Sequence, residues 1–300
     1  MLFSFSDYQE IALGLSDLLE LSAFTISRHE NAEMHITLSS PVADKHCFIL
    51  GTIAPPEEQM VALTLLAHTL KSQGAVRVSG ILPYLAYARQ DKIKAGESLA
   101  TAWAGSLLKT AGIDEIVTID VHSEHDKQLF PMPLISLSPA QLFAAEIARQ
   151  GLSDATIVSP DRGAIFRCQA VRKAAGLPTD ATPCFEKKRT DQGIVHSEFA
   201  EKTGSRVIIV DDVLDTGGTL VSACEKLKAL GTEEIYIFVT HGAFTGEKWK
   251  RLWPLGVQRV FCTDTIPSSH ANEGRITTLP VAPLLREHLA GLEINALASR

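Results

Sequence analysis

The stretch from 207 to 220, VIIVDDVLDTGGTL, constrains the fold of this 300-residue chain more than any other. Its first four residues are apolar and β-branched, which predicts a fully buried strand of a parallel sheet over Arg206 to Val210. Asp211 and Asp212 then leave the carboxyl end of that strand, and a short polar loop leads into a helical pattern from Leu220 to Leu230. Such a loop can direct backbone N–H groups and hydroxyls at a phosphate, with the positive end of the helix behind it.

Strand-like runs alternate with helical patterns from residue 43 onward, which favours an α/β fold with parallel sheets. The predicted strands are Met34 to Leu38, His46 to Thr52, Ala75 to Leu82, Glu115 to Val121, Ala155 to Ser159, Arg206 to Val210, Glu234 to Thr240 and Val257 to Cys262. The predicted helices are Pro56 to Gln73, Ser98 to Ala111, Pro139 to Arg149, Ala164 to Ala175, Leu220 to Leu230 and Leu284 to Leu297. The second half repeats the plan of the first. We therefore predict two domains, 1–138 and 139–300, with a C-terminal helix within 284–300 that can pack on the first domain.

The bulk composition excludes several classes of protein. A chain with 45% hydrophobic and 21% charged residues can bury a substantial core. No apolar run approaches the roughly 20 residues that cross a bilayer, and the start, MLFSFSDYQE, lacks the basic flank of a signal peptide, so we expect a cytoplasmic protein with no membrane partner. The five cysteines are widely spaced and form no CxxC pair, which predicts reduced core residues. A net charge of −7 argues against a nucleic-acid partner but leaves a small anionic substrate open.

Ligands of open parallel sheets bind at the carboxyl ends of the strands, and polar loops follow three further predicted strands. One loop is DVHSEH, which contains His122, and the second is PDRGA, which contains Asp161. His122 is either a metal ligand or a hydrogen-bonded surface residue, and Asp161 either caps the next helix or contacts a metal. If the ligand carries phosphates, both residues become natural partners of Mg²⁺.

The third loop, PYLAYARQDK, combines tyrosines with Arg89 and Gln90. It is either a solvated edge strand or a nucleotide site in which a ring or a guanidinium stacks on a base. A separate stretch, CFEKKRTDQGI, contains three consecutive cations from Lys187 to Arg189. These cations form either an ordinary exposed hairpin tip or a lid that brings positive charge to a transferring phosphoryl group.

Taken together, these motifs resemble those of the ribose-phosphate diphosphokinases, also called phosphoribosyl diphosphate synthetases. The motifs occur in the family's order over roughly residues 28 to 267, and they are PYLAYARQDK, TIDVHSEHDKQLF, VSPDRGAIFR, FEKKR, VIIVDDVLDTGGTL, THGAFTG and TDTIP. DDVLDTGGT alone would indicate only the wider phosphoribosyltransferase superfamily. PYLAYARQDK and DVHSEH narrow the resemblance to the diphosphokinases.

The resemblance implies a fold of two type I phosphoribosyltransferase-like domains, each a mainly parallel sheet flanked by helices. It implies transfer of the diphosphoryl group of Mg-ATP to the C1 hydroxyl of ribose 5-phosphate, and a homo-oligomer of unspecified size. The residues assigned by resemblance fall into five sets. They are Asp211, Asp212, Asp215, Thr216, Gly217, Gly218 and Thr219 for ribose 5-phosphate; Glu33, Arg89, Gln90 and His29 for ATP; Asp161, Arg162, Gly163 and Ala164 for the pyrophosphate loop; His122 and Asp161 for Mg²⁺; and Lys187 and Arg189 for catalysis.

Three segments depart from the family pattern. The ATP-contacting segment that usually reads like RFSDGE is RHENAE here, so that His29 replaces the base-stacking aromatic residue while Glu33 is kept. Because imidazole can also stack on a base, adenine binding stays an expectation. The family's PDxGG is PDRGA, with Ala164 at the last glycine, which is expected to tighten that turn. Residues 94–98, KAGES, differ from the usual basic run, so phosphate activation and ADP inhibition are not carried over.

Two other functions fit parts of the sequence. A non-catalytic regulatory homologue would keep the fold without turnover; RHENAE favours this reading, and the retained Lys187 and Arg189 oppose it. A phosphoribosyltransferase, which consumes the diphosphate sugar, would leave PYLAYARQDK and the first domain without a role.

Overall fold

The computed structural model describes residues 1–178, 182–185, 187–190, 193–196, 203–268, 270 and 274–298. Within 187–196 and 292–298 it describes the backbone only. Its strands are β1 Leu2–Ser4, β2 Leu21–Ser22, β3 Phe24–Arg28, β4 Met34–Leu38, β5 His46–Leu50, β6 Arg77–Ile81, β7 Glu115–Ile119, β8 Leu134–Leu137, β9 Thr156–Val158, β10 Lys187–Thr190, β11 Gly193–His196, β12 Arg206–Leu214, β13 Glu234–Gly242, β14 Val257–Thr263 and β15 Ile276–Leu279. Its α-helices are α1 Gln9–Leu13, α2 Glu58–Ser72, α3 Ala100–Thr110, α4 Asp126–Leu129, α5 Ala140–Arg149, α6 Ile165–Ala174, α7 Gly218–Ala229 and α8 Ala282–Ala298. Short 3-10 helices span Ser6–Tyr8, Arg162–Ala164 and Lys248–Leu255. None of the helices in this described part is long and apolar enough to cross a membrane.

The chain divides into two compact units, Met1–Leu137 with Val281–Arg300, and Ser138–Pro280. Unit 1 contains a six-stranded sheet in the order β2-β1-β5-β6-β7-β8, and unit 2 a five-stranded sheet in the order β15-β14-β13-β12-β9. All neighbouring strands in both sheets are parallel. Helices flank the sheets, so the predicted α/β class is confirmed.

The apolar runs form strands because both faces of each sheet are covered. In β12, Val207 and Ile209 belong to one hydrophobic cluster of unit 2, whereas Ile208 and Val210 belong to another. Since successive side chains of a strand point to opposite faces, a continuous β-branched run supplies both cores at once.

Helix α8 completes the core of unit 1. Val281, Leu285 and Leu289 pack in one cluster with Leu2 and other residues near the start of the chain. Arg286 adds a hydrogen bond to the Gly14 carbonyl oxygen and an ion pair with Asp17. The first and last segments of the chain are therefore packed together in unit 1.

A polar cluster lies where β5, β6 and β7 begin, at the end of the sheet opposite to the polar loops. The Ser79 hydroxyl donates to Glu115 Oε1 at 2.6 Å and lies 2.7 Å from His46 Nε2. Because its single proton is directed at the carboxylate, Ser79 accepts from the imidazole and is not a nucleophile activated by it. Arg77 completes the cluster by pairing with Glu115.

Candidate active site

Strand β12 runs four residues further than predicted, through Leu214 instead of ending at Val210. Its pairing with β13 continues to Leu214 and Gly242, whereas its pairing with β9 ends where Ile209 meets Val158. Asp211 and Asp212 therefore lie within the strand, in a part that has lost the β9 neighbour. Both carboxylates are buried.

The turn after β12 has the backbone geometry of an anion site. Gly217 adopts a left-handed conformation, with φ 82° and ψ 4°, and helix α7 begins at Gly218. A residue with a Cβ adopts this conformation only with strain, so the glycine is required there. The N–H groups of the first turn of α7 have no partner within the helix, and the helix dipole places partial positive charge among them. Asp215 and Thr216 precede Gly217, and Thr219 lies in the first turn of α7.

The segment after β13 holds the turn in place. Ala243 N and Phe244 N donate to the Leu214 carbonyl oxygen at 3.0 and 2.9 Å, and Thr245 N donates to the Asp215 carbonyl oxygen at 3.1 Å. These three bonds fix the backbone at the start of the turn without using the N–H groups of α7.

Asp211 lies close enough to Asp212 and Asp161 for their charges to affect its pKa. Burial, and then the charges of Asp212 and Asp161, raise the pKa of Asp211 well above its ordinary value. Arg167 opposes this rise, and its guanidinium lies 3.9 Å from Asp212 Oδ2. The site therefore combines crowded negative charge with one buried cation.

Asp161 caps the turn that follows β9. Its Oδ1 accepts the N–H groups of Gly163 and Ala164 at 2.9 and 3.2 Å, so the capping role considered from the sequence is present. Ala164 adopts φ −91° and ψ −3°, an ordinary conformation for alanine, so its replacement of a glycine does not strain the turn. Arg162 begins the short 3-10 helix in this loop.

Lys187 and Arg189 lie in β10, which pairs with β11 in an antiparallel ladder that matches Lys187 with His196 and Arg189 with Ile194. Their side chains lie outside the described residues, as does the predicted lid contact with substrate.

In unit 1, the loops after β6 and β7 are joined. The Ser123 hydroxyl donates to Asp91 Oδ2 at 3.1 Å, which links PYLAYARQDK to DVHSEH. Arg89, Gln90 and His122 are exposed on these loops. The first loop is not the edge strand considered as an alternative, because the Tyr87 backbone turns back at φ 67°.

His29 and Glu33 lie elsewhere in unit 1, at the tip of the β3–β4 hairpin. His29 N donates to the Glu33 carbonyl oxygen at 3.0 Å, and the His29 and His35 rings lie 5.4 Å apart. The predicted ATP residues thus belong to two elements, the hairpin tip and the loop after β6.

No group of three or more His, Cys, Asp or Glu residues within the described ranges is arranged to hold a metal ion. Asp161, Asp211 and Asp212 do not form such a group.

The comparisons with known proteins agree over nearly the whole chain. Residues 1–112 match the family model for the N-terminal domain of ribose phosphate pyrophosphokinase, and residues 136–267 match the phosphoribosyl transferase domain. A ribose-phosphate pyrophosphokinase of Corynebacterium efficiens is 32% identical, over 98% of this chain and 93% of that protein. One from Vibrio vulnificus is 30% identical, over 95% of this chain and 93% of that protein.

The chain belongs to the ribose-phosphate pyrophosphokinase family. Ribose-phosphate diphosphokinase is another name for this enzyme, so the family and enzyme class predicted from the sequence are confirmed. The crystal structure of phosphoribosylpyrophosphate synthetase from Mycobacterium smegmatis superposes with a TM-score of 0.85 at 28% identity, covering 98% of this chain and 99% of that one. The two-domain phosphoribosyltransferase-like fold is confirmed with it.

Three residues lie beside predicted site residues of their own unit but were not predicted from the sequence. Arg167 neutralises the carboxylates from α6, and Trp249 packs under Gly217. Asp126 is fully buried beside His122, and its Oδ2 accepts Ser123 N at 2.9 Å. Burial raises the pKa of Asp126, the bond from Ser123 lowers it, and the charge of Asp91 raises it again. In the sequence, Arg167 looks like a solvated residue of a helix and Asp126 like a solvated residue of a polar loop. Nothing in the sequence therefore indicates that either is buried beside site residues.

Proposed function

We propose that the chain transfers the diphosphoryl group of Mg-ATP to the C1 hydroxyl of ribose 5-phosphate, which gives phosphoribosyl diphosphate and AMP. The observation that carries the proposal is the left-handed turn at Gly217, which places the start of α7 immediately after a strand with two buried acids. The turn suits a terminal phosphate, and the acids suit sugar hydroxyls, so one site accepts both ends of ribose 5-phosphate.

In this proposal Asp211 and Asp212 accept hydrogen bonds from the ribose hydroxyls. The 5-phosphate binds to the N–H groups and hydroxyls between Thr216 and Thr219. Orientation by these groups presents the C1 hydroxyl to the diphosphoryl group, and positioning of this kind supplies much of the rate in phosphoryl transfer.

The ATP side of the proposal uses residues of unit 1. Arg89 and Gln90 bind the nucleotide from the loop after β6, and His29 and Glu33 bind it from the hairpin tip. Arg89 supplies a permanent positive charge for phosphate, while the His29 ring is suited to stack on the base. The hairpin assignment is the one most open to test, because its sequence departs from the family pattern.

Mg²⁺ fits this donor set because it prefers oxygen ligands, keeps several waters and takes phosphate oxygens from the substrate. Such a site needs only one or two protein side chains. Asp161 would hold an ion in unit 2 through oxygen, and His122 is the expected metal contact in unit 1. When bound, the ion neutralises charge on the phosphate oxygens.

Lys187 and Arg189 are proposed to stabilise the charge that develops on the diphosphoryl group during transfer. The test is formation of AMP and phosphoribosyl diphosphate from ATP, Mg²⁺ and ribose 5-phosphate by the purified chain. The Lys187→Ala, Arg189→Ala double variant should lose this activity, and the Lys188→Ala variant is a matched control from the same strand. If the wild-type chain forms no more AMP than the double variant, the proposed reaction is wrong.

A homo-oligomer completes the proposal, by resemblance to the family. Light scattering coupled to size-exclusion chromatography should give a mass of at least two chains, and a monomeric mass at assay concentrations would contradict it.

A further inference from the structure

A buried group of rings lies beneath the turn at Gly217. This Trp249 cluster consists of Phe244, Trp249 and His270, with ring centroids 5.0 Å apart for Phe244 and Trp249 and 5.2 Å apart for Trp249 and His270. Trp249 is 3% exposed and Phe244 4% exposed. The indole N–H of Trp249 donates to the Gly246 carbonyl oxygen at 2.9 Å, which fixes the orientation of the ring.

Gly217 rests directly on Trp249. A Cβ atom at Gly217 would lie 2.7 Å from Trp249 Cα and 2.8 Å from Trp249 Cβ, closer than any real contact. The turn therefore leaves no room for a Cβ atom between Gly217 and the backbone and Cβ of Trp249. A small displacement of Trp249 would therefore also displace the turn, because packed protein interiors have low compressibility.

The same segment is bonded to the start of the turn. Its residues Ala243, Phe244 and Thr245 donate the three backbone bonds to Leu214 and Asp215 described above. Phe244 takes φ 49°, a strained conformation for a residue with a side chain, and its burial against Trp249 offsets that strain. The turn is thus held by backbone bonds at its start and by Trp249 at Gly217.

We propose that Trp249 is a positioning residue for ribose 5-phosphate: it holds the turn from Asp215 to Thr219 in the geometry that binds the 5-phosphate. The inference rests on the proposed function and adds a residue outside the polar motifs. Trp249 does not touch the substrate. It acts through Gly217, whose conformation sets the direction of the N–H groups that follow.

The test replaces Trp249 with leucine, which keeps an apolar side chain but removes the ring contacts and the indole bond. We expect the Michaelis constant for ribose 5-phosphate to rise about tenfold or more, while that for ATP stays within about twofold. Trp249→Phe keeps a ring against Phe244 and should restore most of the affinity. It also serves as the second variant if Trp249→Leu does not fold.

Trp253→Leu is the matched control. Trp253 lies in the same 3-10 helix, and its ring centroid is 6.1 Å from that of Trp249. The guanidinium carbon of Arg275 lies over the Trp253 ring, 5.8 Å from its centroid. This variant should lower the melting temperature without changing either Michaelis constant. A merely structural role for Trp249 predicts that both leucine variants behave alike, and that result would overturn the proposal.

Calorimetric titration with ribose 5-phosphate alone separates the two hypotheses. If the wild-type chain binds the sugar phosphate but forms no AMP, the proposed reaction fails while the weaker binding expected for Trp249→Leu still supports the positioning role. If Trp249→Leu binds as tightly as wild type, the positioning role fails whatever the turnover. A wild-type chain that does not bind ribose 5-phosphate overturns both.

Discussion

Replacing Gly217 with alanine tests how far the turn depends on close packing. An alanine in the left-handed region costs about 1–2 kcal/mol. The new Cβ would also lie 2.7 Å from a backbone carbon of Trp249, which no change of rotamer relieves. Overpacking of this kind costs about 1–3 kcal/mol more, for a total of about 2–5 kcal/mol.

A displacement of the turn in this variant would relieve the clash. The fold would then be kept, but the binding of ribose 5-phosphate would be weakened. Since each 1.4 kcal/mol is a factor of ten, the affinity for ribose 5-phosphate should fall by about 30-fold at the low end of that range. Initial rates at varied ribose 5-phosphate and saturating ATP, together with thermal unfolding, measure the two consequences separately.

Gly231→Ala is the matched control for Gly217→Ala. Gly231 follows the other end of α7 with φ 88°, and nothing lies within 4 Å of its would-be Cβ. This variant incurs the conformational cost alone, so its free energy of unfolding should fall by about 1–2 kcal/mol with the Michaelis constants unchanged. If Gly217→Ala matches Gly231→Ala in both measurements, the reasoning from close packing is refuted.

Three further variants test other parts of the molecule. Arg167→Met removes the buried cation beside Asp212 and should lower the free energy of unfolding, measured by urea denaturation, by about 3 kcal/mol. The double variant with Asp212→Asn should recover part of that loss. Burial first, and the charge of Arg77 second, lower the pKa of His46 below its usual 6.5, so the unfolded chain binds its proton more readily. The contribution of His46 to stability is therefore complete above pH 6.5 and is lost as the pH falls through the lowered pKa. Melting curves between pH 7.5 and 5 should show a smaller drop in melting temperature on acidification for His46→Gln than for the wild type. Equal drops would contradict this assignment. Lys187→Ala should lower kcat with little change in either Michaelis constant, because its contact is expected mainly in the transition state, and steady-state kinetics that show only weaker binding would count against it.

The sequence predicted the long buried strands and their helices because each contains its own signal. A β-branched run such as Val207 to Val210 is stable only where both faces are covered, so its place in a parallel sheet follows from composition. The continuation of β12 through Asp211 and Asp212 was missed because acidic residues are depleted in strands. Pairing with β13 decides the matter, and that partner lies more than twenty residues along the chain.

Very short strands and tertiary contacts could not be predicted, for a related reason. β1, β2 and β15 have two to four residues each, and only their neighbours define them as strands. The polar site residues were found because motifs place them after strands, whereas Trp249 was not. Nothing in the sequence near Trp249 shows that its backbone meets Gly217, since that contact joins two elements that are distant along the chain.

Unit 1 is built from both ends of the chain, and this affects the order in which the protein can fold during synthesis. Unit 2 is continuous from Ser138 to Pro280 and is fully translated before α8 leaves the ribosome. Until then the apolar cluster that contains Leu2 lacks Val281, Leu285 and Leu289. A nascent chain halted at Pro280 should therefore bind a dye specific for exposed apolar surface and lose that binding once α8 is added. Synthesis of unit 1 starts before that of unit 2 and ends after it. Apolar surface of unit 1 is therefore exposed for longest during synthesis, which makes this unit the more prone to aggregation.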